Sequence, residues 1–380
     1  MSADQAEALT DDPDALGRRL AVWLADHAAS PAGAPHGAPG SSGEGAPDAL
    51  YGPGRCTLQP SAGGFSNQTW VGTWERKEAG SAPIVLRLQS ATPTVFPDPS
   101  IDKQVRVMAA LAGTAVPVPR LMGREEGAEV LGAPFAVMER VPGRVPQENP
   151  LYHLEGWFHD LDDAAQRRHW FSGIDTLAAI ARVDRSDCEA LGLGFLAPPP
   201  GVGVLEHQLQ TWLAMLRWVE ATARPYPHLH KAHGWLCLHA PPPGPVSLSW
   251  GDAKLGNCVF DAQGRVVAAL DWEQAGLAHP VDDLAWWLML DNCLSAGYGV
   301  PRLAGLPSRE ETVAHWELAS GLRADHLGYH EVFSAWRMSI IMARIGTLFT
   351  QRGWVPAEAE MDVRNGAATL LAGHAQRLGF

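Results

Sequence analysis

The sequence predicts an α+β protein of two unequal lobes. Three observations carry this reading. Between residues 55 and 141, short β-patterned runs surround one helical stretch. After Gly143 the apolar spacing is mostly helical. Inside that helical region, a brief β-patterned interruption carries a cluster of acidic and amide side chains. The predicted divisions are 1–48 for an N-terminal helix and a Gly/Pro/Ala/Ser linker, 49–141 for the sheet lobe, and 142–380 for the helical lobe.

DPDALGRRLAVWLADH (12–27) clusters Leu16, Leu20, Val22, Trp23 and Leu24 on one side, with Asp12 or Asp14 placed to cap the start. Residues 28–54 are dense in Gly, Pro, Ala and Ser and read as a linker. RCTLQP and QTWVGTW read as strands on either side of SAGGFSN, and IVLRLQ (84–89) as a third. DKQVRVMAALAGT (102–114) is helical by spacing. VPVPRLMG is excluded from helix by its prolines, and PFAVMERV (134–141) is a further strand. Helices are expected over 163–183, 202–222, 281–294, 309–321 and 326–350. Between them VSLSW, NCVFD and VVAALDW are β-patterned, with Gly264 in a hairpin turn.

With 380 residues, 46% hydrophobic, the chain can bury a large core. Only 19% of residues are charged and the net charge is −13, which argues against a nucleic-acid surface. Anionic small ligands stay open, because one local cation or helix N-terminus can hold a phosphate. The five cysteines are scattered, odd in number and free of CxxC, which points to a reducing cytoplasm. The N-terminus lacks an apolar signal core. The densest apolar run, LAWWLML (284–290), is too short to span a bilayer. No nucleic-acid or membrane partner is expected.

SWGDAKLGN (249–257) and LDWEQ (270–274) carry the chemistry. Phosphoryl transfer needs a carboxylate at the attacking hydroxyl, oxygen ligands for Mg²⁺, and a cradle for the phosphates. Asp252 supplies the first. Asn257, five residues on, shares its loop and offers an amide oxygen to a metal. Asp271, beyond the hairpin, returns to the same end and can bridge Mg²⁺.

GDxxxxN, a hairpin, then an apolar residue and DWE resembles the aminoglycoside phosphotransferase (APH)/choline-kinase-like family, relatives of the protein kinases. LQPSAGGFSNQTW is similar to the family's first hairpin, IVLRL to its third strand, and LAGTAVPVPRL to its helix-to-strand passage. PFAVMERVPG is similar to its hinge, and YHEVFSAWRMSIIMARIG to a C-terminal helix. The resemblance runs over roughly residues 50–350, most closely to the group also found fused to acyl-CoA dehydrogenases, whose acceptors are largely unsettled. It implies a protein-kinase-like bilobal fold and an ATP- and Mg²⁺-dependent transfer of the γ-phosphate to a hydroxyl of a small molecule. It implies Asp252 as the catalytic carboxylate and Asn257 and Asp271 as metal ligands. Arg87, Ser66, Asn67 and Lys254 would lie at the phosphates, with adenine against the hinge at Glu139–Val141. A nucleotide-binding pseudokinase acting as sensor or scaffold is the alternative. Two departures motivate it: Trp250 stands where the family commonly has His, and Gln104 where a Glu would pair with the strand-three cation, here Arg87.

Other residues have plainer readings. Asp283 (HPVDDLAWW) is expected to tie a helix start to the catalytic loop. Glu273 could orient Asp271 or touch substrate, and Lys254 could equally be a solvated loop lysine. His228, His230, His233 and His239 in PHLHKAHGWLCLH lack regular ligand geometry and read as a surface connection between helices. Most tryptophans of the helical lobe read as core, with Trp286, Glu317 and Trp336 as candidate acceptor-pocket walls.

Overall fold

The computed structural model describes residues 12–27, 54–61, 66–76 and 80–380. The expected linker, apart from Gly54, and the centre of the 61–67 loop fall outside the described residues. Two compact units emerge: the described parts of Met1–Ala109 with Pro119–Val141, and Ala110–Val118 with Pro142–Phe380.

The small unit contains helix α1 (Pro13–His27), strands β1 (Arg55–Pro60), β2 (Gln68–Arg76) and β3 (Gly80–Leu88), helix α2 (Asp102–Leu111, whose last two residues fall to the other unit), and strands β4 (Leu121–Glu125) and β5 (Phe135–Glu139). The strands form one antiparallel sheet in the order β1-β2-β3-β5-β4. Successive strand residues face opposite sides, and β5 shows the consequence. Phe135 and Val137 belong to a core with Ile84, Leu86, Leu88, Trp70 and Trp74, whereas Ala136 packs with Ile101, Val105 and Leu121. Helix α1 closes the first of these faces with Leu16, Leu20, Trp23 and Leu24. The helix expected in a separate 1–48 segment is thus an integral layer of the small unit. β4 was not foreseen, because the prolines of VPVPRLMG ended the helical reading without revealing the strand just beyond them.

The large unit contains helices α3 (Asp163–Ala181), α4 (Arg185–Ala190), α5 (Val204–Thr222) and α6 (Pro227–Leu238) and strands β6 (Ser247–Ser249), β7 (Cys258–Phe260), β8 (Val266–Ala269) and β9 (Gly276–Ala278). Helices α7 (Asp282–Leu294), α8 (Arg309–Ser320), α9 (Leu327–Gln351) and α10 (Gly366–Leu378) follow. β7 and β8 make the expected hairpin, with Gly264 at φ +81 in its turn. β6 pairs with β9, a strand too short for its pattern to register. Caps fix several helix starts. Asp162 accepts from Ala165 N at 2.7 Å, and Ser308 with Glu311 forms a capping box on α8. The histidine-rich stretch is corrected here: 227–238 is a helix, not a connection. Pro227 sits at its first position, where no N–H is needed.

Helix α9 packs on α5, α6, α7 and α10. It is long and apolar enough, by length and composition alone, to cross a membrane, yet 72% of its most apolar window is buried inside the unit. Its apolarity therefore belongs to the core. Tryptophans dominate that core: Trp170, Trp250, Trp272, Trp286, Trp287, Trp316 and Trp336 are all fully buried. Large rings bury much area and prefer edge or offset contacts. Trp170 and Trp287 meet edge-on at 5.4 Å, and Trp170 donates its N–H to Thr312 Oγ1 at 2.9 Å.

Two outcomes test this architecture. Leu20→Ala is expected to destabilise the small unit by about 2–5 kcal/mol, the range for a buried Leu cut back to its β-carbon. An unchanged denaturant midpoint would detach α1 from the sheet. The second concerns His279, whose imidazole is pushed down to about 4, chiefly by burial and then by the neighbouring His330. Unfolded, it takes its proton near pH 6.5. Between these values the unfolded chain binds more protons, so stability contributed by neutral His279 is lost as pH falls through that window. Wild type should lose more stability than His279→Gln between pH 7 and 4.5 in parallel denaturation curves; identical curves would remove His279 from the account.

Candidate active site

β6 delivers the chain into Trp250 and Gly251. Gly251 lies at φ +84, and a Cβ there would come within 2.3 Å of the Gln274 carbonyl oxygen, so only glycine passes this turn. A single 3₁₀ turn, Leu255–Asn257, leads into β7. At the open end of the hairpin, Leu270 N donates to Asn257 O at 2.8 Å. That bond sets Asp271 beside Asn257, although fourteen residues separate them.

Asn257 Nδ2 donates to Asp252 Oδ2 and to the Asp252 carbonyl, each at 2.9 Å. An amide whose nitrogen faces a carboxylate turns its oxygen away from it, toward any cation. Trp286 Nε1 donates to the other carboxylate oxygen, Asp252 Oδ1, at 3.1 Å. Lys254 is not a solvated loop lysine. Its side chain is 21% exposed and lies between two carboxylates, 3.0 Å from Glu148 Oε2 and 3.5 Å from Asp252 Oδ2. Burial works against its charge, but Asp252, Glu148 and more distantly Asp271 outweigh that and hold the ammonium well above the usual lysine range. Glu148 can come this close because residue 256 is glycine: a Cβ there would stand 2.5 Å from Glu148 Oε1.

Asp271 occupies φ +61, a left-handed conformation rare outside glycine. The strain coincides with the position singled out for metal binding. Trp250 accounts for the missing histidine. Its indole N–H donates to the Leu270 carbonyl at 2.7 Å, one residue before Asp271, and its ring stacks on Trp272 at 5.6 Å. Trp250 thus joins the two halves of the site by a side-chain-to-backbone bond.

Asp283 does what was expected of it. Its carboxylate accepts from Ser249 Oγ at 2.8 Å, Trp250 N at 2.7 Å and Gly251 N at 2.9 Å. Its neighbour Asp282, not singled out in the sequence, accepts from His330 Nδ1 at 2.9 Å, Arg337 Nη1 at 3.2 Å and Gln208 Nε2 at 3.2 Å. Arg337 in turn donates to the Gly251 carbonyl at 3.1 Å. Glu148, Asp282 and Arg337 are the residues that sequence reasoning missed. Glu148 precedes Lys254 by 106 positions and Arg337 follows Gly251 by 86, so no local spacing could flag either. Asp282 alone had a signal, being one half of the Asp-Asp pair that opens α7.

Of the three suggested acceptor walls, only Trp286 touches the site. Trp336 is fully buried and donates to Leu229 O at 2.9 Å. Glu317 accepts from Ala324 N and pairs with Arg323 at 3.3 Å. Within the histidine stretch, His230 pairs with Glu220 at 3.0 Å and His233 meets Cys237 Sγ at 3.4 Å.

In the small unit, Arg87 shares a sheet face with Ala136, the face covered by α2, and donates Nη1 to Thr69 Oγ1 directly across the strand pair at 2.9 Å. Gln104 is buried on α2, but no Arg87–Gln104 hydrogen bond occurs among the described residues. Asn67 Oδ1 accepts from Ser90 N at 3.0 Å, and the Ser66 carbonyl accepts from Ser90 Oγ and Thr94 Oγ1, each at 2.8 Å. Glu139 ends β5, and its carboxylate meets Arg120 at 3.3 Å; Val141 is the last residue of the unit.

Comparison with known proteins fits this geometry. The profile of APH, described as a phosphotransferase enzyme family, matches residues 57–315. Mouse acyl-CoA dehydrogenase family member 10 is 28% identical over 270 residues, covering 68% of this chain and 24% of that protein. Human family member 11 is 25% identical over 276 residues, covering 70% and 33%. The chain therefore spans about a quarter to a third of the curated relatives it matches. Among solved structures, a Ralstonia eutropha protein provisionally assigned as an aminoglycoside phosphotransferase superposes with a TM-score of 0.67 at 22% identity, covering 93% of this chain and 96% of that one. Plasmodium vivax ethanolamine kinase gives a TM-score of 0.52 at 11% identity, with 83% and 82% covered. These structural likenesses show an α+β, protein-kinase-like fold. The profile covers most of the chain, residues 249–274 among them, and the chain belongs to the APH phosphotransferase enzyme family.

Proposed function

We propose that the chain is an ATP- and Mg²⁺-dependent kinase that moves the γ-phosphate to a hydroxyl group of a small molecule. The observation that carries this reading is the meeting of Asp252, Asn257 and the Asp271 backbone at one end of the β7–β8 hairpin. Loop decoration needs no such convergence, whereas phosphoryl transfer does.

The donor chemistry fits a hard cation. Asn257 Oδ1 and the Asp271 carboxylate would hold Mg²⁺, which prefers oxygen and keeps water and phosphate oxygens as its other ligands. Among the described residues no cluster of three or more His, Cys, Asp and Glu builds a fuller protein cage. ATP supplies the phosphoryl group, and the metal when bound neutralises phosphate charge. Asp252, aimed by Trp286 and Asn257, would accept a hydrogen bond from the acceptor hydroxyl and orient it for in-line attack. Lys254, kept charged by Glu148, would offset negative charge beside Asp252. Arg87 would take phosphate oxygens with its planar fork. Ser66 and Asn67 would steady the loop between β1 and β2, and the backbone at Glu139–Val141 would meet adenine. Five free cysteines suit a reducing compartment, and we assign the protein to the cytoplasm.

Titration calorimetry with ATP, with and without Mg²⁺, is the deciding experiment. Wild type should bind more tightly with Mg²⁺, and Asp271→Asn should lose that enhancement while staying folded. No binding at millimolar ATP would sink the reading; an undiminished Mg²⁺ effect in the variant would remove Asp271 from the metal site. A second outcome concerns turnover, read as phosphorylated product from a panel of alcohols, amino alcohols and sugars. Asp252→Ala should keep nucleotide affinity nearly unchanged and lose about 10²–10⁴-fold in rate, the usual share of an acid–base group. Full retained turnover would end the assignment of Asp252.

A further inference from the structure

The large unit holds a cavity of about 550 Å³ that includes none of the residues assigned to phosphoryl transfer. Its walls come from α5 (Leu209, Leu213), from the end of α6 (Cys237), from the 240–246 connection (Pro242), from the exit of β9 (His279) and from α9, whose lining His330 is already bonded to Asp282 at 2.9 Å. That connection enters β6 at Ser247, whereas Asp252 follows the other end of the strand. The cavity and the catalytic loop therefore lie at opposite ends of β6.

Volume and chemistry both restrict what fits. Small-molecule sites commonly measure about 300–1,000 Å³ and are mainly apolar, with a few polar groups. The walls here are chiefly Leu, Val and Pro. The lining holds no Lys or Arg and a single carboxylate, Glu206. Burial lowers the His279 and His233 imidazoles, which favours their neutral forms, and partial desolvation raises the thiol of Cys237 although that residue is largely exposed. The one acid, Glu206, is turned along its own helix and accepts from Gln210 Nε2 at 3.0 Å. Away from the exposed Glu206, an ion entering this space would lose its hydration with no carboxylate, guanidinium or ammonium group among the lining residues to replace it. An uncharged molecule would lose little and would bury apolar surface.

We propose that this cavity is a second ligand site, taking an uncharged, largely apolar small molecule with a hydrogen-bonding group for the imidazole and thiol side. The site is separate from the acceptor and nucleotide positions, so it stands or falls independently of the kinase reading.

Cys237 makes the proposal directly testable. It is exposed, and the other four cysteines are buried, so the fast reaction with an aromatic disulfide reagent belongs to it. The probe is Nile red, uncharged and fluorescent in apolar surroundings, titrated into the full chain. Wild type should bind it saturably at one equivalent, and saturating probe should slow Cys237 modification severalfold. Leu213→Trp, which fills the cavity, should weaken binding at least about tenfold, a change worth ~1.4 kcal/mol. Ala240→Trp, at an exposed position on the same wall, repeats the test where folding is not at risk. Leu318→Trp, exposed on α8, should change nothing. Absence of saturable binding, binding indifferent to both filling variants, or an unaltered Cys237 rate would each overturn the proposal.

Discussion

Gly251 is gripped at both of its backbone polar groups, and the aim of the loop that carries Asp252 and Asn257 depends on that grip. Its N–H donates to Asp283 and its carbonyl accepts from Arg337, which Asp282 holds in place. Two consecutive aspartates at the start of α7 thus fix one residue from two sides, Asp283 directly and Asp282 through Arg337. A helix N-terminus is a favourable place for such carboxylates, because the first N–H groups and the macrodipole favour negative charge. Burial still weighs on them. It pushes the Asp283 carboxyl up to about 6, against the pull of its three donors and with the Asp282 charge adding to the rise. Asp282 feels the same burial, but His330, Arg337 and Gln208 outweigh it and keep its carboxyl below the usual range. Losing one partner of a buried ion pair typically costs about 3–5 kcal/mol, because the other charge is left without compensation.

The aromatic core completes this frame. Arg337 lies over the ring of Trp286 at 4.5 Å and beside those of Trp212 and Phe333 at 4.9 and 5.4 Å. Trp286 in turn donates to Asp252. One indole therefore supports the arginine that holds the loop backbone and orients the carboxylate that the loop presents. Helix α9, which supplies Arg337 and His330, brings polar groups to the loop from within a largely apolar element. Its interior position goes with three buried basic side chains, of which His330 and Arg337 share the Asp282 carboxylate while Arg344 donates to Thr222 Oγ1 and lies over Trp218.

Much of this was legible in the sequence because it is local. Asp252 and Asn257 share one loop, and the β7–β8 hairpin returns the chain to Asn257, so spacing alone foretold their meeting. Asp283 was legible because a carboxylate at a helix start has few other uses. What escaped was long-range or short. Glu148 and Arg337 reach the loop from distant stretches, and neither position carries a pattern. β9 has three residues and α4 six, too few for a period to emerge. α6 was hidden by its leading proline and its histidines, although proline is favoured at a first helical position. The integration of α1 into the small unit was masked by the Gly/Pro-rich stretch after it, which reads as a boundary.

Trp250 has a consequence for how this sequence can change. Its indole fills a fully buried site, stacks on Trp272 and reaches the Leu270 carbonyl. A histidine at this position would be smaller than the space, and its ring nitrogen would lie elsewhere. Trp272 would then face a void, so Trp250→His needs at least one compensating substitution to be tolerated. The paired indoles thus form one unit of packing: a change at either position opens space against the other, and the two tolerate substitution together more readily than singly.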